Sequence, residues 1–160
     1  MKTIIIEDEH LIESIIARCD ACFLGISDLE GNPYVIPMNF GYADDVIYLH
    51  SSPEGEKIEM LERNNNVCIT FSAGHKLVYQ HEKMACSYSM RSDSVMCRGK
   101  VRFIEDMDEK RHALDIIMRN YTKNDFTYSD PSVRNVKVWQ VHIERITAKA
   151  IGLRPDEVIL

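Results

Sequence analysis

From residue 137 to residue 146 the side chains alternate: Trp139, Val141 and Ile143 are apolar, while Gln140, His142 and Glu144 are polar. A period of two is the signature of a strand with one face on a core and the other toward water. Five other runs of strand character precede it, at residues 22–27, 34–40, 46–50, 67–71 and 95–104. Glu30-Gly31-Asn32-Pro33 joins the first two as a hairpin, and Tyr42-Ala43-Asp44-Asp45 turns the chain into the third. Helical spacing occurs in three places only. Leu11, Ile12, Ile15 and Ile16 share a face over residues 9–18, and Ala113, Ile116, Ile117 and Tyr121 share one over 108–121. Between them, Ser52 can cap and Pro53 can open a helix that runs to Arg63. Residues 74–91 have no regular pattern, and 122–135 read as a polar loop. Helices so irregularly placed do not give the strand-helix alternation of a parallel sheet. The expectation is a mainly β fold, an antiparallel sheet or small barrel with flanking helices, as one domain over residues 1–160.

Composition narrows the function. With 160 residues and 45% hydrophobic side chains the chain can bury a core without a disulfide or structural metal. Its 19 Lys and Arg are outnumbered by 25 Asp and Glu, for a net charge of −6, and they form no run. That excludes nucleic acid and anionic membrane as main partners and points to a small molecule or a protein. No stretch approaches the roughly 18–20 apolar residues of a membrane span. The opening Met1-Lys2-Thr3-Ile4-Ile5-Ile6 runs into Glu7-Asp8-Glu9, unlike a signal-peptide core, so a cytoplasmic location is expected. The five cysteines, at 19, 22, 68, 86 and 97, are expected as reduced thiols. Cys19 and Cys22 have the gap of a zinc or redox pair, but no second pair completes a ligand set. His75, His81 and Glu82 match no ligand spacing, and His112 and His142 fall on polar faces. No metal site is expected.

Two places could hold a ligand. Along His50-Ser51-Ser52-Pro53-Glu54-Gly55-Glu56-Lys57 a strand feeds a helix start, with hydroxyls before it and an ammonium in its first turns. Such a corner can bind an anion, although the same residues serve equally as ordinary capping beside a solvated lysine. Pro37 lies within a strand-like run where it cannot donate a ladder hydrogen bond, so the strand is an edge, a bulge, or a wall for something other than another strand. A flat heteroaromatic ring could use Met38-Asn39-Phe40 there. No Gly-x-Ser-x-Gly, Gly-x-Gly-x-x-Gly or Walker-type loop occurs, which leaves serine hydrolase, dinucleotide-binding and P-loop chemistry without their defining residues. No catalytic residue can be assigned.

The order of motifs carries more than any one of them. Tyr34-Val35-Ile36-Pro37-Met38-Asn39-Phe40-Gly41-Tyr42 is followed by Ile47-Tyr48-Leu49-His50-Ser51, Gly55-Glu56-Lys57-Ile58 and Val67-Cys68. Then come Met90-Arg91-Ser92-Asp93-Ser94-Val95, Gly99-Lys100-Val101, Val138-Trp139-Gln140-Val141 and Ile146-Thr147-Ala148-Lys149. Over about residues 10–150 this order resembles the flavin-binding split-barrel family related to pyridoxamine 5′-phosphate oxidase, in its nitroimidazole-resistance branch.

The resemblance implies a six-stranded antiparallel split β-barrel that binds FMN at the interface of a homodimer. It implies that Pro37, Met38, Asn39 and Phe40 lie along the isoalloxazine and that His50, Ser51 and Lys57 approach the phosphate. Ser94 and Val95 would line the same cleft, with Arg91 and Trp139 at the cofactor or the dimer contact. It implies a flavin-dependent oxidoreductase that passes electrons from NADH, NADPH or another donor to a small acceptor such as a nitro compound. The alternative is a dimeric module that holds flavin or haem without turnover. There are departures from the family pattern. Glu56 stands where nitroimidazole-active members often have histidine, which predicts poor reduction of 5-nitroimidazoles. Ser92-Asp93 replaces an aromatic and a basic residue, and the ending Gly152–Leu160 lacks the Arg-rich substrate motif of true pyridoxamine phosphate oxidases.

Overall fold

The structure is a computed structural model that describes residues 2–153, so Met1 and all but the start of the Gly152–Leu160 ending lie outside the described residues. Eight strands form one antiparallel sheet in the order β3-β2-β6-β7-β8-β5-β4, with β1 added on β8. In chain order the elements are β1 (Lys2–Ile6), α1 (Glu9–Ala17), β2 (Cys22–Ser27), β3 (Pro33–Met38), β4 (Gly41–Ala43), β5 (Val46–Ser51), α2 (Glu56–Arg63), β6 (Asn66–Tyr79), β7 (Tyr88–Ile104), α3 (Met107–Arg119), α4 (Asp130–Asn135) and β8 (Lys137–Leu153). The mainly β, helix-flanked fold agrees with the sequence reading. The strand count does not: β1 and β4 are additional to the six expected. The ends of the path, β3 and β4, do not pair with each other, so the sheet stays open.

The alternation in β8 continues past residue 146, but in the opposite phase. Gly99 of β7 pairs with Ile143 whereas Arg98 pairs with Arg145, which leaves Glu144 as an extra residue. A bulge of one residue exchanges the two faces of a strand. Trp139, Val141 and Ile143 face the core before it, and Ile146 and Ala148 face the core after it. A search for strict alternation therefore loses the strand halfway. The same cause hides the outer half of the β6–β7 hairpin: its register shifts between Ala73 and Lys76, where Gly74 has φ 69°, so residues 74–91 lack a continuous pattern. β1 pairs with the far end of β8, where Ile4 meets Ala150 and Ile6 meets Ala148.

The main core lies on one face of the sheet. α1 contributes Ile12, Ile15 and Ile16, the strands contribute Leu24, Phe71, Val95 and Trp139, and Phe40 joins them from between β3 and β4, all buried. Each such side chain contributes about 1.5–3 kcal/mol by leaving water. Cys22 and Cys97 are also there, and burial pushes their thiols up to about 12. All five cysteines are free. α3 packs Ala113 near Ile104 and Val138, and it approaches β4 so closely that a Cβ on Gly41 would be 2.7 Å from the Ile117 nitrogen.

Two local expectations are corrected. α2 starts at Glu56 rather than at Ser52-Pro53, because its N-cap is Gly55 with φ 124°, a backbone state that side chains rarely adopt. The segment read as a polar loop contains α4, six residues long. Its stability is tertiary: buried Lys110 donates to the carbonyls of Val136 (3.0 Å) and Val133 (3.4 Å), and Arg111 pairs with Asp130. Polar composition alone could not reveal a helix held in this way.

Gly99 allows the bulge to exist, since a Cβ there would be 2.2 Å from the His142 carbonyl oxygen. Gly99→Ala should cost about 1–3 kcal/mol through forced displacement of β7 from β8, measurable as a lower urea midpoint.

Candidate functional site

Among the described residues β3 pairs only with β2, which leaves its other edge open. Pro37, opposite Phe23, costs the ladder nothing there. Across from this edge β5 ends at His50 and Ser51, and the loop leads into α2. A groove of about 460 Å³ lies between them, lined by Tyr34, Ile36, Pro37, Met38, Asn39, His50, Ser51, Ser52 and Lys57. The structure thus brings the proline-bearing strand and the anion corner, read separately in the sequence, to one place. Tyr34 and Ile36 were missed, although they alternate with Met38 along the strand and period two could have found them.

The groove has one apolar wall and one polar end. At the polar end, no ion pair involves the half-buried Lys57 among the described residues. The α2 N-terminus has no side-chain cap, and its first bonded amides are Ile58 and Glu59, both on the Gly55 carbonyl. The amides of Glu56 and Lys57 precede them and lack intrahelical acceptors. The Ser51 hydroxyl donates to the Ser52 carbonyl at 2.8 Å. His50 Nδ1 is buried without a hydrogen-bond partner, and burial lowers the His50 pKa from the usual 6.5, which favours the neutral imidazole. Glu56 is not part of this end. One position along a helix turns by about 100°, and Glu56 lines a different groove with Asp28, Glu30, Glu59 and Arg63.

Five residues named with the site lie elsewhere. The side chains of Phe40, Val95 and Trp139 are fully buried in the core; Phe40 packs edge-on against Phe71 at 4.8 Å and Trp139 against Phe103 at 6.1 Å. Their regular appearance in the motif order reflects packing, not groove lining. Ser94 lies on β7 between Ser72 and Lys149, and Arg91 lies further out, opposite Lys76. β2 and β6 separate β7 from β3, which at about 4.8 Å per strand places Ser94 on the order of 14 Å away.

Tyr121 enters the site without a sequence signal, having been read as part of a helix face. Its hydroxyl accepts from the Phe40 amide at 3.0 Å and donates to the Asp20 carbonyl at 2.9 Å. Asn39 Nδ2 donates to the same carbonyl at 3.4 Å.

The face of the sheet away from the core is exposed beside the groove. Pro37, Phe23, Thr70, Met96 and Thr147 form one row across β3, β2, β6, β7 and β8. Phe23 is 49% exposed and Met96 39%. No helix among the described residues is long and apolar enough to cross a membrane.

The family model for pyridoxamine 5′-phosphate oxidase matches residues 8–150. No curated protein matches the chain. Among solved structures, a candidate 5-nitroimidazole antibiotic resistance protein from Bacteroides thetaiotaomicron is 74% identical, with 93% of this chain and 87% of that one covered and a TM-score of 0.85. A flavocytochrome from Azotobacter vinelandii is 21% identical over 94% of this chain and 71% of its own, with a TM-score of 0.80. An FAD- and haem-binding protein from Mycobacterium smegmatis is 16% identical over 99% and 77%, with a TM-score of 0.84. The last two are similar in fold.

The lowered pKa of His50 has a sign that can be tested. Above about pH 6.5 the imidazole is neutral folded or unfolded, and as pH falls below that the unfolded chain takes up the proton first. Stability should therefore decline from about pH 6.5 downward through the folded-state value, and His50→Gln should remove that component from a series of denaturant melts.

Proposed function

Because the chain belongs to the pyridoxamine 5′-phosphate oxidase family, we propose that the groove between β3 and α2 holds FMN and that the protein is an FMN-dependent oxidoreductase. The observation that carries this is the pairing of an apolar strand edge with an anion corner in one groove. A flavin supplies the electron and hydride transfer, so the polypeptide needs no nucleophile or general acid of its own. That accounts for the absence of a catalytic constellation in the sequence. The acceptor is small, nitro compounds included, and the donor is a nicotinamide or another reductant.

The residues present fit such a ligand. Lys57 and the free amides at the start of α2 supply positive charge and donors for a phosphate. Ser52 adds a hydroxyl. Neutral His50 has an unpartnered Nδ1 facing a cost of about 1–3 kcal/mol for as long as it stays unpaired, and a ligand polar group would relieve it. Pro37, Met38 and Ile36 give the ring an apolar surface. With Glu56 turned to the other side of α2, its carboxylate does not oppose the phosphate, and no imidazole enters the groove from that position either.

A second copy of the chain belongs on the exposed face that carries Phe23 and Met96. Pro37 lines the groove and also begins the exposed row through Phe23 and Met96, so a partner covering the row would wall the groove. Exposed apolar surface of this kind is uncommon on soluble monomers. Ser94 and Arg91, too far along the sheet to reach their own chain's groove, would meet the partner's.

The reading is tested by the absorbance spectrum of the purified protein and by anaerobic addition of NADH or NADPH. A flavin spectrum that bleaches supports it; a haem spectrum, or no FMN uptake, overturns it. Lys57→Ala should weaken FMN binding by about 1.5–3 kcal/mol and leave riboflavin binding nearly unchanged in parallel titrations. Met96→Lys, tested by light scattering, should convert a dimer to monomers and release FMN with it; a wild-type monomer that keeps FMN would remove the interface from the site.

A further inference from the structure

We propose that Tyr121 is a positioning residue for the groove, acting through the Asp20 carbonyl to present the Asn39 carboxamide oxygen to the imide N–H of a bound flavin. The proposal rests on the flavin reading above. Asn39 is held on both sides. Met38 before it is paired with Cys22 in the β2–β3 ladder. Phe40 after it is buried against Phe71, and its amide, between the end of β3 and the start of β4, donates to the Tyr121 hydroxyl. That hydroxyl spends its own proton on the Asp20 carbonyl, in the corner between α1 and β2.

The Asp20 oxygen therefore has two donors, Tyr121 Oη at 2.9 Å and Asn39 Nδ2 at 3.4 Å. A carbonyl has two lone pairs, so its capacity is filled. This sets the sense of the Asn39 amide. Flipping it would bring Oδ1 against the Asp20 oxygen, acceptor to acceptor, while the present orientation leaves Oδ1 as the acceptor available on a residue that lines the groove. A ligand edge that complements it must offer an N–H. The isoalloxazine has one at its imide, flanked by carbonyls, and an acceptor placed there favours the protonated imide and raises its pKa. Without the tyrosine hydroxyl, the Phe40 amide and one lone pair of Asp20 lose their partners, and the backbone on both sides of the Asn39 carboxamide bond is no longer pinned, so Oδ1 is presented less precisely.

The test uses the full chain with FMN as the probe and compares wild type, Tyr121→Phe, Asn39→Ala and the double variant. The imide of bound FMN is titrated by visible absorbance toward alkaline pH, and FMN affinity is measured at neutral pH. Tyr121→Phe and Asn39→Ala should each lower the pH at which the imide deprotonates. Each should also weaken binding roughly 3- to 10-fold, the range expected of one hydrogen bond. The double variant should match Asn39→Ala, because the tyrosine acts only through the asparagine. An imide titration unmoved in Tyr121→Phe, or affinity losses that simply add, would overturn the positioning role while leaving the flavin reading intact. Wild-type protein that takes up no FMN would overturn both.

Discussion

The fold depends on the pairing of β7 with β8. These strands carry the register from Ser92–Ile151 to Ile104–Val138, and every other part of the sheet is attached to one of them, directly or through β6 and β5. A pairing that long in a single phase would keep the odd positions of β8 on the core side throughout. The bulge at Glu144, opposite Gly99, transfers the apolar side of β8 from odd to even positions, so that one continuous strand lines the core at both ends. The groove is a consequence at one remove. β5 is fixed to the first half of β8, β2 and β3 hang from β6 on the other side, and the groove is the space left between β3 and the β5–α2 corner.

What the sequence revealed was what local chemistry determines. α1, the β2–β3 hairpin and β5 have their signals within a dozen residues: an apolar stripe, a Gly-Asn-Pro turn, a β-branched run. The second half of β8, β1 and the arm of the β6–β7 hairpin depend on bulges and on partners far along the chain, and α4 depends on a lysine from another helix. None of these leaves a local trace. The start of α2 was misplaced because Ser52-Pro53 is a good cap in isolation, whereas Gly55 makes the turn that the groove requires.

The site divides along similar lines. Pro37 and Lys57 were visible because each is odd where it stands, a proline in a strand and a lysine behind two serines. That they share a groove is a tertiary fact. Phe40, Val95 and Trp139 belong to the same motifs but face inward, which separates two kinds of regularity: some positions in a family pattern line the groove, and others keep its wall in place. Tyr121 illustrates a third kind. It is 81 residues from the amide that it holds, in the turn just past the end of α3, where the spacing alone makes a tyrosine look like one more packing residue of the helix.

The burial of the thiols has a bearing on how the protein ages. Oxidants attack the thiolate, and burial pushes the Cys22 and Cys97 thiols up to about 12, so both stay protonated near pH 7. Chemical shelter therefore coincides with the places where a sulfenic or sulfonic acid would split the core. Cys86, the one exposed cysteine, lies in the turn between β6 and β7, so the thiol most open to oxidants is outside the strands. The molecule wears from its periphery, and its centre is the last part to be reached.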